Sequence, residues 1–388
     1  MVSTLVRGAK NELYQFISYA NTNEDAELIE NFKQRWSHVS PCDATISLDK
    51  FQLIRTLGRG SFGRVVLALL KNDNINKNDG NKFYAIKVMD KRKLVRYKQI
   101  DHTLNERRVL YSLQHPNTVR YFFSFKDNSY IYLSIEFISG KRKRKKQTEL
   151  FLFNRFFFLL GGDLFTYLRR TGKFNEKHVK FYAAQIFLVF EYLHHFDILY
   201  RDLKPENILI AENGYLKVTD FGFAKHVNGR TYTLCGTPDY LPPEIIKHKG
   251  YGKSVDWWTF AVLCFEMAAG QPPFSGKDHI QLYEAIVNQR YTCPSSFSME
   301  LADLIKKILV IDVTTRLGCL ANGNKDIQNH PFFDSINFIK IYHQTENPNN
   351  IPYKPTKKDP LDPSSLSQPE EPIRVSRHNL HEEEFRMF

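Results

Sequence analysis

Cysteine is scarce: five in 388 residues (Cys42, Cys235, Cys264, Cys293 and Cys319), an odd number with no C-x-x-C pair. That argues against a disulfide framework and against a paired-cysteine zinc site, and it points to a reducing compartment. No apolar run reaches the about 20 residues that a bilayer-spanning helix takes. Met1-Val2-Ser3 opens no secretory apolar region, and Val2 stands where myristoylation requires glycine. The expectation is a cytoplasmic protein without a lipid anchor, with the nucleus as a second compartment. Acidic side chains are outnumbered, 42 against 54 Lys and Arg, for a net charge of +12. Such a surplus suggests nucleic acid or an anionic membrane. Half of it, however, sits in residues 141–161, with seven basic residues and the single acid Glu149, so no nucleic-acid partner is expected.

What the chain does contain is a hydrophobic fraction of 42% and enough length for a two-lobed unit or two domains with tails. Leu28, Ile29, Phe32 and Trp36 recur at helical spacing before Pro41, predicting an amphipathic helix over 24–36. Strand-like Phe51-Gln52-Leu53-Ile54 leads into Leu57-Gly58-Arg59-Gly60-Ser61-Phe62-Gly63-Arg64-Val65. In a dinucleotide fingerprint the last glycine opens a helix. Here Val65-Val66-Leu67-Ala68-Leu69 reads as a strand, so the glycines form a flap between strands that can close over phosphates. The polar run 72–81 is a surface turn. Phe83-Tyr84-Ala85-Ile86-Lys87-Val88-Met89 is a strand with one lysine, which by itself only snorkels or pairs. Glu106, on the helical stretch 104–110, is its candidate partner. Tyr200-Arg201-Asp202-Leu203-Lys204-Pro205-Glu206-Asn207 precedes strand-like Ile208-Leu209-Ile210. Taken alone it is also a polar turn, but its carboxylate and amide suit phosphoryl transfer, which needs one group to orient a hydroxyl and another to hold metal. The helical pattern 179–193 and the apolar run 255–269, ended by Gly270 and Pro272-Pro273, read as the core of a large lobe.

The glycine loop, Ala85-Ile86-Lys87, Glu106, Tyr200-Arg201-Asp202 with Asn207, Asp220-Phe221-Gly222 and Pro242-Pro243-Glu244 follow the order and spacing of the eukaryotic protein-kinase signatures. Stretches 101–106, 181–186, 218–225, 233–238 and 255–258, with the terminal Phe385-Arg386-Met387-Phe388, are similar to the catalytic subunits of cyclic-AMP-dependent kinases. The resemblance covers about residues 24 to 388. It implies an α+β bilobal fold, with a small antiparallel-sheet N-lobe carrying one key helix and a larger, mainly helical C-lobe. It divides the chain into an N-terminal segment (1–50), a kinase domain (51–333) and a C-terminal tail (334–388).

By the same resemblance, Gly58, Gly60, Ser61, Phe62 and Gly63 cover the phosphates of ATP, Lys87 holds the α- and β-phosphates, and Glu106 fixes Lys87. Asn207 and Asp220 hold Mg2+. Leu57, Val65, Ala85 and Leu209 sandwich the adenine, Glu136 and Ile138 bond its edge through their backbone, and Asp163, Glu206 and Thr219 complete the nucleotide site. Asp202 takes the proton of a substrate Ser or Thr hydroxyl and Lys204 steadies the transferring group. Thr233 is the activation phosphosite, captured by His102, Arg201 and Lys225. Asp163, Glu206 and Glu266 receive substrate arginines, while Leu234, Pro238 and Leu241 form an apolar pocket for the next residue, so the implied substrates are Arg-Arg-x-Ser/Thr-apolar proteins. Ser376 matches the tail phosphosite, and Glu244 and Arg316 match a buried ion pair. A separate cyclic-AMP-binding regulatory subunit is the implied partner.

The pattern also departs from the family. Tyr232 stands where the family has tryptophan at a regulatory-subunit contact, Pro242 replaces alanine, and Ile135 fills the gatekeeper position. The polar, Pro-rich tail lacks a Phe-Asp-Asp-Tyr-like stretch. Residues 141–161 have no counterpart. They read as a basic targeting or membrane patch, as a surface loop, or as sequence absent from the mature protein. The last reading is preferred, because joining Ile138-Ser139-Gly140 to Gly162-Asp163-Leu164-Phe165 restores a continuous hinge. Gly140-Lys141 can also encode a splice donor, which transcript sequencing across the segment tests. If the insertion is real and disrupts the hinge, the alternative is a catalytically impaired, kinase-like scaffold.

Overall fold

The computed structural model describes residues 22–39, 42, 45–71, 83–139, 162–355 and 372–388. Pro41, the polar run 72–81, Gly140, the insertion 141–161 and most of the Pro-rich tail lie outside the described residues, as does the side chain of Leu28.

Five strands, β1 (Phe51–Arg59), β2 (Gly63–Leu70), β3 (Phe83–Asp90), β4 (Tyr121–Lys126) and β5 (Tyr130–Glu136), form one sheet in the order β1-β2-β3-β5-β4, every pair antiparallel. Alternation along β3 divides its side chains between two apolar clusters. Ala85 and Met89 join the cluster that reaches the cleft, while Tyr84, Ile86 and Val88 join a second one with Phe51, Phe125 and Tyr132. The period of two therefore assigns Lys87 to the face of Ala85 and Met89. The short helix α1 of this lobe's N-terminal flank, Thr22–Ser37, contains the whole stretch expected to be helical. Its Phe32 ring stacks on Phe196 at 3.7 Å, and the Arg108 guanidinium lies 4.4 Å from the Trp36 ring.

Helix α2 (Lys91–Arg96) follows β3, and α3 (Ile100–Ser112) runs behind the sheet with Thr103 and Glu106 buried. Below the sheet the chain becomes mainly helical. Helix α4 (Leu164–Thr171) begins on the Asp163 cap, and α5 (Glu176–His195) is buried along almost its whole length. Between α5 and the next large helix come four short strands, β6 (Ile198–Leu199), β7 (Ile208–Ile210), β8 (Leu216–Val218) and β9 (Lys225–His226), paired as β6-β9 and β7-β8. After α6 (Pro243–Ile246), α7 (Ser254–Ala269) packs on α5 through an apolar surface that surrounds the helix. Gly270 ends α7 at φ +85, a left-handed cap that favours glycine, donating to the Glu266 carbonyl at 2.8 Å.

Residues 372–388 return to the small lobe. Phe385 and Phe388 are buried, Lys126 Nζ donates to the Phe385 carbonyl at 2.5 Å, and the Arg107 guanidinium lies 5.1 Å from the Phe388 ring. The terminal F-x-x-F thus packs beside α3 and β4. Among the described residues no helix is long and apolar enough to cross a membrane.

Candidate active site

The sheet and the helical body meet at a cleft of about 440 Å³ lined by Lys87, Glu106, Asp163, Asp202, Asn207 and Asp220, together with the flap residues Ser61 and Phe62. The flap is tied at its base. Gly58 pairs with Val65 across the β1-β2 ladder, Gly60 N donates to the Gly63 carbonyl at 2.9 Å, and Asp90 N donates to the Phe62 carbonyl at 2.9 Å. A Cβ on Gly63 would stand 1.8 Å from the Val88 carbonyl oxygen, so close approach to β3 demands glycine there. At the tip the Phe62 ring lies 5.9 Å from that of Tyr97.

Lys87 Nζ reaches both oxygens of Glu106, at 2.7 and 2.8 Å, and Asp220 Oδ1 at 3.7 Å. Burial pulls the lysine pKa down, but the carboxylates of Glu106 and Asp220 outweigh it and hold the ammonium above its ordinary value. Glu106, the candidate partner on the stretch that reads as a helix, is brought by α3 to Lys87 on β3.

The loop at 200–207 is held in an unusual conformation. Arg201 has φ +70 and Asp220 has φ +58, left-handed values that cost a non-glycine residue energy. Asp256, fully buried on α7, accepts from Tyr200 N at 2.9 Å, from Arg201 N at 2.8 Å and makes a 2.8 Å bond with His194 Nε2. Three polar groups are thereby satisfied around one carboxylate, which offsets the strain and fixes where Asp202 stands. Asp202 Oδ2 meets Lys204 Nζ, and Asp202 Oδ1 accepts from Thr237 Oγ1 at 3.0 Å, which in turn accepts from Lys204 Nζ at 3.1 Å. Burial pushes the Asp202 carboxyl above the usual range, against the pull of Lys204. Asp256, Thr237 and Tyr251 carry no role in the sequence reading. Asp256 had a signal, one of only two acids in the apolar run 255–269, since a buried carboxylate must find donors.

The donor set fits a divalent cation shared with phosphates. Asn207 Nδ2 donates to the Asp202 carbonyl at 2.9 Å and to Asp202 Oδ2 at 3.0 Å, and neither bond uses its amide oxygen. That oxygen and the Asp220 carboxylate are hard ligands of the kind Mg2+ takes alongside phosphate and water. Among the described residues no cluster of three or more His, Cys, Asp or Glu forms a self-sufficient metal cage. Leu57, Val65, Ala85 and Leu209 are all buried and belong to the large apolar cluster that spans both lobes, and none of the four is among the side chains lining the cleft. Thr219 is buried beside Asp220, its Oγ1 without a partner among the described residues, and its N–H donates to the Asn207 carbonyl at 3.0 Å. At the end of β5, Glu136 Oε2 accepts from Lys217 Nζ at 3.0 Å, and Ile138 is buried just beyond it.

The three acids expected to receive arginines differ in their bonds. Asp163 caps α4, accepting from Thr166 N at 2.6 Å and Thr166 Oγ1 at 2.9 Å. Burial raises its pKa to about 6, with the nearby Glu206 charge adding a smaller push. Glu266 accepts from Tyr240 Oη and pairs with Arg169 at 2.7 Å, and burial again pushes its pKa up. The Glu206 charge raises both neighbours.

Thr233 is exposed, and its carbonyl accepts from Tyr251 Oη at 2.6 Å. The same hydroxyl accepts from Arg201 Nη1 at 3.0 Å, and Arg201 Nε donates to the Phe223 carbonyl at 2.7 Å. Lys225 Nζ donates to Thr231 Oγ1 rather than Thr233, and the His102 ring lies 6.3 Å from that of Phe223. Of the expected apolar pocket, Leu241 is buried and Pro238 half-buried, whereas Leu234 projects into solvent. Ser376 N donates to Ser129 Oγ at 2.7 Å, and Ser376 Oγ accepts from His378 N at 3.1 Å.

Residues 51–333 match the protein kinase domain family. Among curated relatives, "cAMP-dependent protein kinase type 3" of Saccharomyces cerevisiae is 44% identical over 295 residues, spanning 76% of this chain and 67% of that protein. "cAMP-dependent protein kinase catalytic subunit 2" of Drosophila melanogaster is 39% identical over 376 residues, spanning 95% and 97%. "cAMP-dependent protein kinase catalytic subunit PRKX" of Homo sapiens is 38% identical over 314 residues, spanning 81% and 80%. With a sheet lobe over a helical lobe and the phosphoryl-transfer constellation between them, the chain belongs to the cAMP-dependent catalytic-subunit family of serine/threonine protein kinases, which use ATP and a divalent metal.

Proposed function

We propose that this kinase phosphorylates Ser or Thr in Arg-Arg-x-Ser/Thr-apolar proteins, in the cytoplasm, as the catalytic subunit of a cyclic-AMP signalling complex with a separate regulatory subunit. The observation that carries the substrate class is the placement of Asp163 and Glu266 near Glu206, whose charge adds to the larger effect of burial in pushing both of their carboxyls up. An arginine entering there relieves that repulsion, and its planar fork bonds carboxylates in pairs.

In this reading the kinase domain is 51–333, flanked by a supporting N-terminal segment and a tail over 334–388. Asp202 aligns the acceptor hydroxyl and takes its proton; its raised pKa suits it to hold a proton late in the transfer. Thr237 bridges Asp202 and Lys204 through its hydroxyl, holding both toward the acceptor. Lys204 steadies charge on the group in transit, and the Lys87 ammonium, anchored by Glu106, orients the donor. Asn207 and Asp220 would hold Mg2+, which supplies positive charge to the phosphate oxygens when bound. The remaining nucleotide-contacting roles fall to the flap, the apolar slot, Glu136, Ile138 and Thr219.

The test is a peptide panel with either arginine replaced by alanine, assayed with the intact chain and with Glu206→Gln. Each removed arginine should lower kcat/KM by about tenfold or more, the size of one charge-assisted contact of 1.5–3 kcal/mol. Glu206→Gln should flatten the preference for one of them. Equal turnover of acidic or proline-directed peptides overturns the substrate class.

A further inference from the structure

Between the end of α1, the connection from α3 to β4 and β8 lies a second cavity of about 490 Å³, which shares no lining residue with the nucleotide cleft and which the phosphoryl-transfer chemistry does not use. Its wall is assembled from three separate parts of the chain: Arg35 near the end of α1, His115 and Arg120 in the connection from α3 to β4, and Lys217 on β8. Tyr111 and Tyr121 add an aromatic side, their rings 5.7 Å apart and edge-on. Among the described residues lining the cavity, none is acidic.

The cations are arranged rather than scattered. With its amide oxygen turned toward Arg35, Gln114 accepts from Nη2 at 2.5 Å and Nη1 at 2.7 Å, which steadies the guanidinium at the rim. Lys217 is largely withdrawn from water and bonds the Thr118 carbonyl at 3.4 Å and Glu136 at 3.0 Å. Glu136 neutralises that one ammonium, and among the described residues no carboxylate pairs with Arg35 or Arg120. His115 stays neutral, held down to about 3 by burial and then by the Lys217 charge. Two guanidiniums and one ammonium face a space of ligand size beside an aromatic wall, and guanidiniums bond phosphate oxygens in pairs.

We propose that this cavity binds a phosphate-bearing small molecule, held by Arg35, Arg120 and Lys217. The site stands apart from the nucleotide cleft and from every residue assigned to substrate recognition. Its occupant would share Lys217 with Glu136, at the end of the strand that leads into the hinge.

Inorganic pyrophosphate is a suitable probe, titrated calorimetrically into the full chain with metal chelated. The expected result is saturable binding that weakens by about tenfold or more in Arg120→Ala and again in Arg35→Ala, but is unchanged in Lys87→Met. Both arginines are partly or fully exposed, and a thermal melt of each variant shows whether the fold is retained. Binding abolished by Lys87→Met and indifferent to the arginines assigns the anion to the nucleotide cleft and overturns the proposal. So does the absence of saturable binding, and so does citrate binding as tightly as pyrophosphate, which would leave no phosphate selectivity.

Discussion

Asp163 carries two tasks at one side chain. Its oxygens cap α4, and its charge belongs to the acidic cluster proposed to receive arginine. Burial dominates its titration and brings its pKa to about 6. Because the folded value is raised, the contribution of this group to stability is fully present in acid, below the unfolded carboxylate value of 3.8, and is lost as pH rises through about 6. Function runs the other way, since only the ionised form pairs with arginine. KM for an Arg-Arg-x-Ser peptide should therefore climb as pH falls through about 6, while Asp163→Asn should give a high KM that no longer changes there. Measuring KM against pH for both proteins checks this, and parallel profiles would count against a recognition role. The same residue shows how much can be read from neighbours in sequence: an acid three residues before Thr166 suggests a cap, but only the burial around it produces the shift.

At the scale of elements, the activation segment and the catalytic loop are joined through one phenol. Tyr251 Oη donates to the Thr233 carbonyl and accepts from Arg201, whose Nε reaches the Phe223 carbonyl just after Asp220-Phe221-Gly222. If Thr233 is phosphorylated, as proposed from the family resemblance, the added charge of close to two would draw on this guanidinium already tied to both loops and order them together. Thr233→Ala should lower peptide turnover by about tenfold or more, the equivalent of one or two charge-assisted bonds. Turnover equal to that of the unmutated chain would remove Thr233 from the switch. Helix α3 has a comparable role, carrying Glu106 to Lys87 while the buried Phe385 and Phe388 brace the lobe beside it. Strand and helix positions were legible because apolar residues repeat at periods of two and 3.6. The bridge at Tyr251 was not, since 18 residues separate it from Thr233 and 50 from Arg201, and no local pattern spans such gaps.

Across the whole molecule, the large lobe is pinned by a pair buried almost completely: Arg316 donates to Glu244 at 2.7 and 3.0 Å and also to the Val310 and Ser254 carbonyls. Arg316→Met leaves the Glu244 carboxylate buried without its charge partner and should lower unfolding free energy by about 3–5 kcal/mol in a denaturant titration. Replacing both by apolar residues of similar volume should cost much less, because no uncompensated charge remains. A double variant as unstable as the single one would show that the cost is packing alone.

The sequence by itself determined the family, the two-lobed class and the helix and strand periods, and its motif order grouped Lys87, Glu106, Asp202, Asn207 and Asp220, which the fold brings into one cleft, because these rest on local pattern and on motif order. Folding alone decided which groups hold that set in place. Asp256 under the strained loop, Thr237 between Asp202 and Lys204, and Lys217 on Glu136 are contacts made across 55, 35 and 81 residues respectively. Burial, which pushes Asp163 and Asp202 upward, exists only once the lobes have closed around them. Those contacts and that loss of water are properties of three-dimensional neighbourhood, so no reading along the chain contains them.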